Sequence, residues 1–175
     1  STLLEVDVLN EFKNIKTNLT KIGYAFYLLD FARQVVKESE SKYIFRILEA
    51  ALLKIEEGLS PDIITNIVEL KYLTFLGVMP MLDKCIKCSS SKDIITINSD
   101  AGGLLCTNCY HNEYIVDPKT LKLLRMFSIV DINKIKELNI SKKNKQEIDN
   151  FLEDYYLRYT GLYLKSKNFL TQIKK

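Results

Sequence analysis

Residues 85–109 read CIKCSSSKDIITINSDAGGLLCTNC and contain all four cysteines of the 175-residue chain. The cysteines form two Cys-x2-Cys pairs separated by 17 residues. This spacing falls within the C-x2-C-x15–20-C-x2-C pattern of zinc sites, because two intervening residues let one tight turn direct both sulfurs at one ion. The sequence therefore predicts one structural Zn²⁺ held by Cys85, Cys88, Cys106 and Cys109.

Other chemistry for these cysteines is less favoured. A catalytic zinc keeps a position for water, whereas four thiolates fill the tetrahedral shell. The only histidine, His111, lies two residues after Cys109 and is an alternative ligand that the four cysteines make unnecessary. A redox Cys-x2-Cys pair prefers a βαβ setting, and the sequence has no P-loop, H-E-x-x-H or G-x-S-x-G motif. We therefore expect no enzymatic activity.

The sequence around the cysteines differs from its flanks. Residues 93–98, DIITIN, are rich in β-branched side chains, and the Ser-Asp-Ala-Gly-Gly that follows predicts a turn that includes Gly102 and Gly103. The flanks have helical periodicity. The predicted fold is mostly α, a helical bundle with an inserted small four-cysteine zinc ribbon that contains a short β-hairpin. Its predicted parts are 1–82 (helical domain, first part), 83–117 (zinc-ribbon insertion) and 118–175 (helical domain, second part).

Local signals set the expected helices. Residues 20–37 are apolar on nearly every face, which is typical of the central helix of a bundle. Ser41, Ser60-Pro61-Asp62 and Asp117-Pro118 each indicate a helix start. The sequence predicts helices over residues 20–37, 41–57, 61–76, 118–128, 131–140 and 143–164. The last predicted helix contains four tyrosines, Tyr155, Tyr156, Tyr159 and Tyr163. They could form a base-stacking surface or part of the hydrophobic core, and their helical periodicity favours the core.

Positive charge is concentrated at the C-terminal end. The chain has net charge +3, but residues 118–175 contain 13 Lys or Arg and 6 Asp or Glu, a net charge of +7. This distribution suits an anionic partner such as nucleic acid, although Lys-rich helix faces are also stable in water without a partner. If nucleic acid is the partner, the residues expected to meet its phosphates are Lys142, Lys143, Lys145, Lys165 and Lys167.

The expected compartment is the cytoplasm. The first residues lack the basic and apolar blocks of a secretory signal, and close cysteine pairs without such a signal favour reduced thiolates. No run of 18 apolar residues occurs, so we expect no membrane partner.

Three stretches together resemble a known family. They are VELKYLTFLGVMPMLDKCIKC (68–88), INSDAGGLLCTNC (97–109) and YTGLYLKSKNFL (159–170). In this order, over nearly the whole chain, they resemble the C-terminal helical and zinc-ribbon region of the bacterial recombination mediator family RecO. The resemblance implies an N-terminal OB-fold domain, which this chain lacks. Because the chain also starts without Met, we expect it to be part of a longer protein.

The resemblance also implies a function. RecO-like proteins are non-enzymatic mediators of DNA repair and homologous recombination, expected in the bacterial cytoplasm at the nucleoid. The implied partners are single- and double-stranded DNA, RecR and the C-terminal tail of single-strand-binding protein, with which such a protein anneals strands and loads the recombinase. The alternative is a zinc-stabilised protein-interaction module without direct DNA binding.

Overall fold

The computed structural model describes residues 10–39, 41–162 and 170 of the chain. Within these residues, the fold combines helices with one two-stranded antiparallel sheet, and no helix is long and apolar enough to cross a bilayer. The predicted class, mostly α with an inserted hairpin, is confirmed. In chain order the elements are α1 (Lys13–Lys16), α2 (Leu19–Glu38), α3 (Lys42–Glu56), α4 (Pro61–Phe75), β1 (Ile94–Asn98), β2 (Gly103–Cys106), α5 (Pro118–Ile129), a 3-10 turn (Ile132–Lys134) and α6 (Lys142–Tyr159).

The predicted helix starts lie where the sequence placed them. Ser41 and Asp117 each accept a hydrogen bond from a backbone N–H in the first turn of the following helix. Pro61 occupies the first turn of α4. The Ser60 hydroxyl bonds to the carboxylate of Asp62 rather than to a backbone N–H. Ser60 therefore occupies the N-cap position of α4 but does not form the expected side-chain capping hydrogen bond.

The prediction of a helix over residues 131–140 is wrong. The structure has one 3-10 turn, Ile132–Lys134, after which Ile135 is extended with φ −71° and ψ 122°. Ile132 and Ile135 are both buried. A 3-10 turn aligns residues i and i+3 on one side, so this single turn directs both side chains into the core.

Helix α4 is the central helix, whereas the sequence placed α2 there. Residues 63–70 are all buried, and α4 contacts α2, α3, α5 and α6. By contrast, α2 exposes Phe26 (63%) and Leu29 (47%). The sequence of α4 does not indicate that it is the central helix, because its buried stretch includes the polar residues Asn66 and Glu69.

An aromatic cluster joins three of the helices in the core. The ring of Phe31 on α2 lies 5.0 Å from the ring of Tyr72 on α4 and 5.5 Å from the ring of Tyr156 on α6, measured between centroids. Tilted and edge-on contacts at such distances are favourable for aromatic pairs. The Tyr156 hydroxyl also donates a hydrogen bond to the Glu69 carbonyl at 2.6 Å, which satisfies its polar end inside the core.

The tyrosines of α6 divide between core and surface. Tyr155 and Tyr156 are buried, as the core interpretation predicted. Tyr159 is 38% exposed, and its hydroxyl donates to the carbonyl of Ser99 in the hairpin turn at 2.9 Å. Tyr163 lies outside the described residues. The two tyrosines within the core therefore hold α6 in the bundle, and Tyr159 joins α6 to the hairpin.

We expect Tyr72→Phe to lower the free energy of unfolding by about 1 kcal/mol, the usual net value of one intramolecular hydrogen bond. The buried Tyr72 hydroxyl donates to the Ile44 carbonyl of α3 at 2.8 Å, and burial raises the pKa of this phenol. Urea denaturation measures the difference. Tyr43→Phe is the matched control, because Tyr43 is 53% exposed and should leave stability unchanged. Equal midpoints for Tyr72→Phe and the wild type would contradict the assignment of this bond.

Candidate metal centre

The four cysteine sulfurs converge on one point. Their Sγ atoms all lie within 4.8 Å of one another, and none of the four cysteines is in a disulfide. The Sγ atoms of Cys88 and Cys106 are 3.6 Å apart. A tetrahedral ion with metal–sulfur bonds of about 2.3 Å would place its sulfurs about 3.8 Å apart. The arrangement therefore fits a tetrahedral metal ion with four sulfur ligands.

Each Cys-x2-Cys pair lies on its own tight turn. After Cys85, the N–H of Ser89 donates to the Cys85 carbonyl at 2.9 Å, and Ser89 has a left-handed φ of 62°. In the second pair, the N–H of Cys109 donates to the Cys106 carbonyl at 3.0 Å. These turns bring residues i and i+3 to the same side of the chain, which is why two intervening residues suffice.

Of the cysteines in the cluster, Cys85 has surroundings that favour the thiolate form. Burial opposes ionisation of Cys85, but backbone N–H groups of Cys88, Cys106 and Lys87 point at its sulfur and lower the pKa of this thiol to about 6. The hydrogen bond with Cys88 and then desolvation raise the pKa of Cys109 to about 12. Four thiolates this close repel one another, so a bound cation is what would allow all four to ionise together.

The hairpin lies between the cysteine cluster and the bundle. Its register pairs Ile97 with Leu104 and Thr96 with Leu105. Ile97 and Leu104 belong to the main hydrophobic core, whereas Leu105 packs with Cys85 and other residues of the cluster. Leu104 therefore packs with the helices, while Leu105 and Cys106 pack in the cysteine cluster, so the hairpin contacts both.

Gly103 has a different role from the predicted one. Gly102 has a left-handed φ of +83° and is a turn residue, as expected. Gly103 is the first residue of β2 and forms a parallel bridge with Met81. A Cβ atom on Gly103 would lie 2.6 Å from the Met81 carbonyl oxygen. Only glycine at position 103 therefore allows the backbone at Met81, just before the first Cys-x2-Cys pair, to approach β2 this closely.

The C-terminal end of α6 holds the hairpin turn. Arg158 donates to the carboxylates of Asp100 in the turn and Asp154 on α6. The Ser99 hydroxyl bonds to the same Asp154 carboxylate, and Tyr159 donates to the Ser99 carbonyl. The spacing of Asp154 and Arg158 at i, i+4 was visible in the sequence, but the contact with the hairpin was not.

We expect Asp154→Asn to weaken this attachment in a pH-dependent way. The Ser99 hydroxyl and then Arg158 lower the pKa of Asp154 below its usual value of 3.8. A lowered pKa in the folded state contributes stability above pH 3.8 that is lost as the pH falls through the folded value. The group is partly exposed and screened by solvent, so we expect a difference of about 0.5–1 kcal/mol at pH 7 that shrinks as the pH falls below 3.8. Denaturation at pH 7 and at a pH below 3.8 tests this, with the exposed neighbour variant Glu153→Gln as control, and a pH-independent difference would contradict it.

A cavity of about 370 Å³ is lined by residues of the ribbon and of α6. On its wall lies Glu147, a buried carboxylate that the sequence did not single out. It accepts hydrogen bonds from the Asp117 N–H and the Tyr114 hydroxyl, each at 3.1 Å, and also from the Thr120 hydroxyl. Glu147 is therefore a structural link between α6 and the start of α5. A second cavity, of about 440 Å³, lies beside Asp100 and His111.

His111 does not join the cysteine cluster. Among the residues that the structure describes, the atoms that converge there belong only to cysteines. His111 is exposed, and its backbone N–H donates to the Glu113 carboxylate at 2.8 Å.

The predicted DNA-contacting lysines differ in their surroundings. Lys142 is exposed, and Lys143 is exposed with its Nζ atom 3.6 Å from the Asp117 carboxylate. Lys145 has only 14% of its side chain exposed and lies between Asp149 and Asp62. Lys165 and Lys167 lie outside the described residues. Lys142 and Lys143, in the first turn of α6, are thus the two of these lysines best placed to meet a phosphate.

The chain is similar to known DNA repair proteins. The family model described as "Recombination protein O C terminal" matches residues 16–168. DNA repair protein RecO of Bacillus pumilus is 31% identical over 177 residues, which cover 99% of this chain and 69% of that protein. The RecO proteins of Halalkalibacterium halodurans and Bacillus subtilis are 28% and 29% identical, over 99% of this chain and 70% and 69% of their own lengths. The chain therefore belongs to the RecO family, and its role is in DNA repair and recombination.

Proposed function

We propose that this protein is a non-enzymatic recombination mediator, which binds DNA and partner proteins, helps to anneal strands and helps to load the recombinase. The observation that carries the proposal is the RecO family match over residues 16–168. Single- and double-stranded DNA, RecR and the C-terminal tail of single-strand-binding protein are the proposed partners. A protein with these partners would act in the bacterial cytoplasm at the nucleoid.

The proposed cofactor is one structural zinc ion on Cys85, Cys88, Cys106 and Cys109. The convergence of the four sulfurs supports this, because soft thiolate ligands in tetrahedral geometry suit Zn²⁺. A shell of four thiolates leaves no position for a catalytic water, which supports a role without turnover. We also propose residues 83–117 as an insertion between the helical parts 1–82 and 118–175. Elemental analysis of the purified chain should find one zinc per molecule.

DNA contact is proposed for the basic C-terminal part, with Lys142 and Lys143 at its centre. Phosphate contacts release counterions, so the affinity for single-stranded DNA should fall steeply with salt, with a log–log slope of about −0.7 per contact. Fluorescence anisotropy with a labelled oligonucleotide at several salt concentrations measures this slope. The variant Lys142→Glu/Lys143→Glu should weaken binding and reduce the slope, whereas Lys13→Glu, an exposed lysine on α1, should not. Binding that is independent of salt, or unaffected by the double substitution, would remove this surface from the proposal.

A second candidate function is a protein-interaction module that does not contact DNA. The observation in its favour is the exposed apolar surface of the ribbon region, where Tyr114 is 68%, Ile115 is 52% and Ile86 is 37% exposed. Pull-down with RecR and with the tail of single-strand-binding protein distinguishes the two functions. The module predicts that Lys142→Glu/Lys143→Glu keeps both partners and that the wild type binds no DNA.

A further inference from the structure

The first turns of α3 expose two aromatic rings beside two cations. Tyr43 is 53% exposed and Phe45 is 58% exposed. The Lys42 Nζ atom lies 5.7 Å and the Arg46 Cζ atom 5.5 Å from the centroid of the Tyr43 ring. Residues three and four apart are neighbours on a helix surface, so Lys42 and Arg46 lie between the two rings. We call these four residues the α3 patch.

The two cations of the α3 patch are available to an anion. Among the described residues, no carboxylate lies within 4.0 Å of the charged nitrogens of Lys42 or Arg46. Three other basic residues on the helices, Arg33, Lys145 and Arg158, each pair with an acid. The α3 patch therefore combines unpaired positive charge with aromatic surface that the fold leaves in water.

We infer that the α3 patch binds single-stranded DNA, with Tyr43 and Phe45 stacking on bases and Lys42 and Arg46 meeting phosphates. This inference rests on the proposed function and assigns it a contact surface separate from the start of α6. Aromatic rings interleaved with cations are the two components that bind single strands without sequence preference. A duplex offers its phosphates but keeps its bases stacked inside, so the exposed rings favour the single strand.

The shape of the surface also favours a nucleic-acid strand over an acidic peptide. The α3 patch lies on the convex outer side of a helix, and both cavities described above are lined by other residues. A peptide that inserts apolar side chains needs a groove. A flexible strand with unstacked bases needs only accessible ring faces and nearby positive charge.

The test uses the full metal-loaded chain with a labelled oligothymidine and a blunt duplex of equal length. Tyr43→Ala/Phe45→Ala should weaken oligothymidine binding by roughly five-fold to one-hundred-fold per ring and leave the salt slope unchanged. Lys42→Gln/Arg46→Gln should instead reduce the salt slope by about 1.4, from two phosphate contacts. Tyr43→Phe should restore binding at that position, because the ring face is kept. Ile129→Ala, an 84% exposed apolar residue on α5, is the control, and circular dichroism checks that each variant is folded.

The outcomes separate the inference from the proposed function. If the wild type binds oligothymidine and both α3 variants bind as tightly as Ile129→Ala, the α3 patch is not a DNA surface, while the proposed function stands. If the wild type binds no DNA, both are overturned. If the α3 variants lose an acidic tail peptide but keep DNA, the patch is a peptide site and the inference is wrong.

Discussion

Replacing Cys106 with serine is expected to release the proposed zinc ion and to unfold the segment 85–109. A structural zinc contributes on the order of 10–16 kcal/mol of apparent binding free energy in zinc-finger peptides, and this segment has little apolar core of its own. Its separate apolar cluster consists of Cys85, Leu105 and Cys106, with only partly buried neighbours. Loss of one thiolate from a four-thiolate shell should reduce the zinc content from one ion per chain to near zero.

The effect on the helices should be much smaller. Ile97 and Leu104 of the hairpin belong to the main core, so some stability of the bundle is lost with the ribbon. The aromatic cluster of α2, α4 and α6 lies elsewhere, and most helical signal in circular dichroism should remain. Limited proteolysis should cut the variant within 85–109, whereas Thr107→Ala, an exposed neighbour of Cys106, should resist cleavage and keep its zinc. A fully zinc-loaded Cys106→Ser variant would refute the four-cysteine assignment.

Gly103→Ala is expected to lower the free energy of unfolding by about 3 kcal/mol. The new Cβ atom would lie 2.6 Å from the Met81 carbonyl oxygen and 2.8 Å from the Met81 Cβ atom, so backbone must move. Overpacking of this kind costs about 1–3 kcal/mol. The shift would also strain the bonds between the Met81 backbone and its partners Gly102 and Leu104, each worth about 1 kcal/mol.

The control for this prediction is Gly77→Ala. Gly77 has a φ of +71°, but nothing lies within 4 Å of its added Cβ atom. Gly77→Ala should therefore lower the free energy of unfolding only by the strain of a left-handed backbone, about 1–2 kcal/mol. Chemical denaturation of both variants compares them, and a Gly103→Ala variant that is no less stable than Gly77→Ala would show that the approach of Met81 to β2 is not close.

The features that the sequence predicted are those with local causes. The Cys-x2-Cys turns, the β-branched DIITIN strand and the caps at Ser41 and Asp117 each depend on a few adjacent residues. Such signals determine local conformation wherever the segment packs, which is why the hairpin and most of the helices were predicted correctly.

The features that could not be predicted from the sequence depend on contacts between segments that are distant along the chain. The buried polar residues Asn66 and Glu69 concealed the central position of α4. The need for glycine at position 103 comes from Met81, and the Asp154 contact with Ser99 joins residues 55 positions apart. For the candidate site, spacing was enough to group the cysteines, but a count of lysines did not reveal that Lys145 is held by Asp149.

Zinc K-edge X-ray absorption of the purified chain tests the central claim most directly, which is that a closed four-sulfur zinc site holds the ribbon in this RecO family member. The account predicts four sulfur ligands at about 2.3 Å and no lighter atom in the first coordination shell. A nitrogen or oxygen ligand in that shell, or a chain purified without zinc that keeps residues 85–109 resistant to proteolysis, would contradict it.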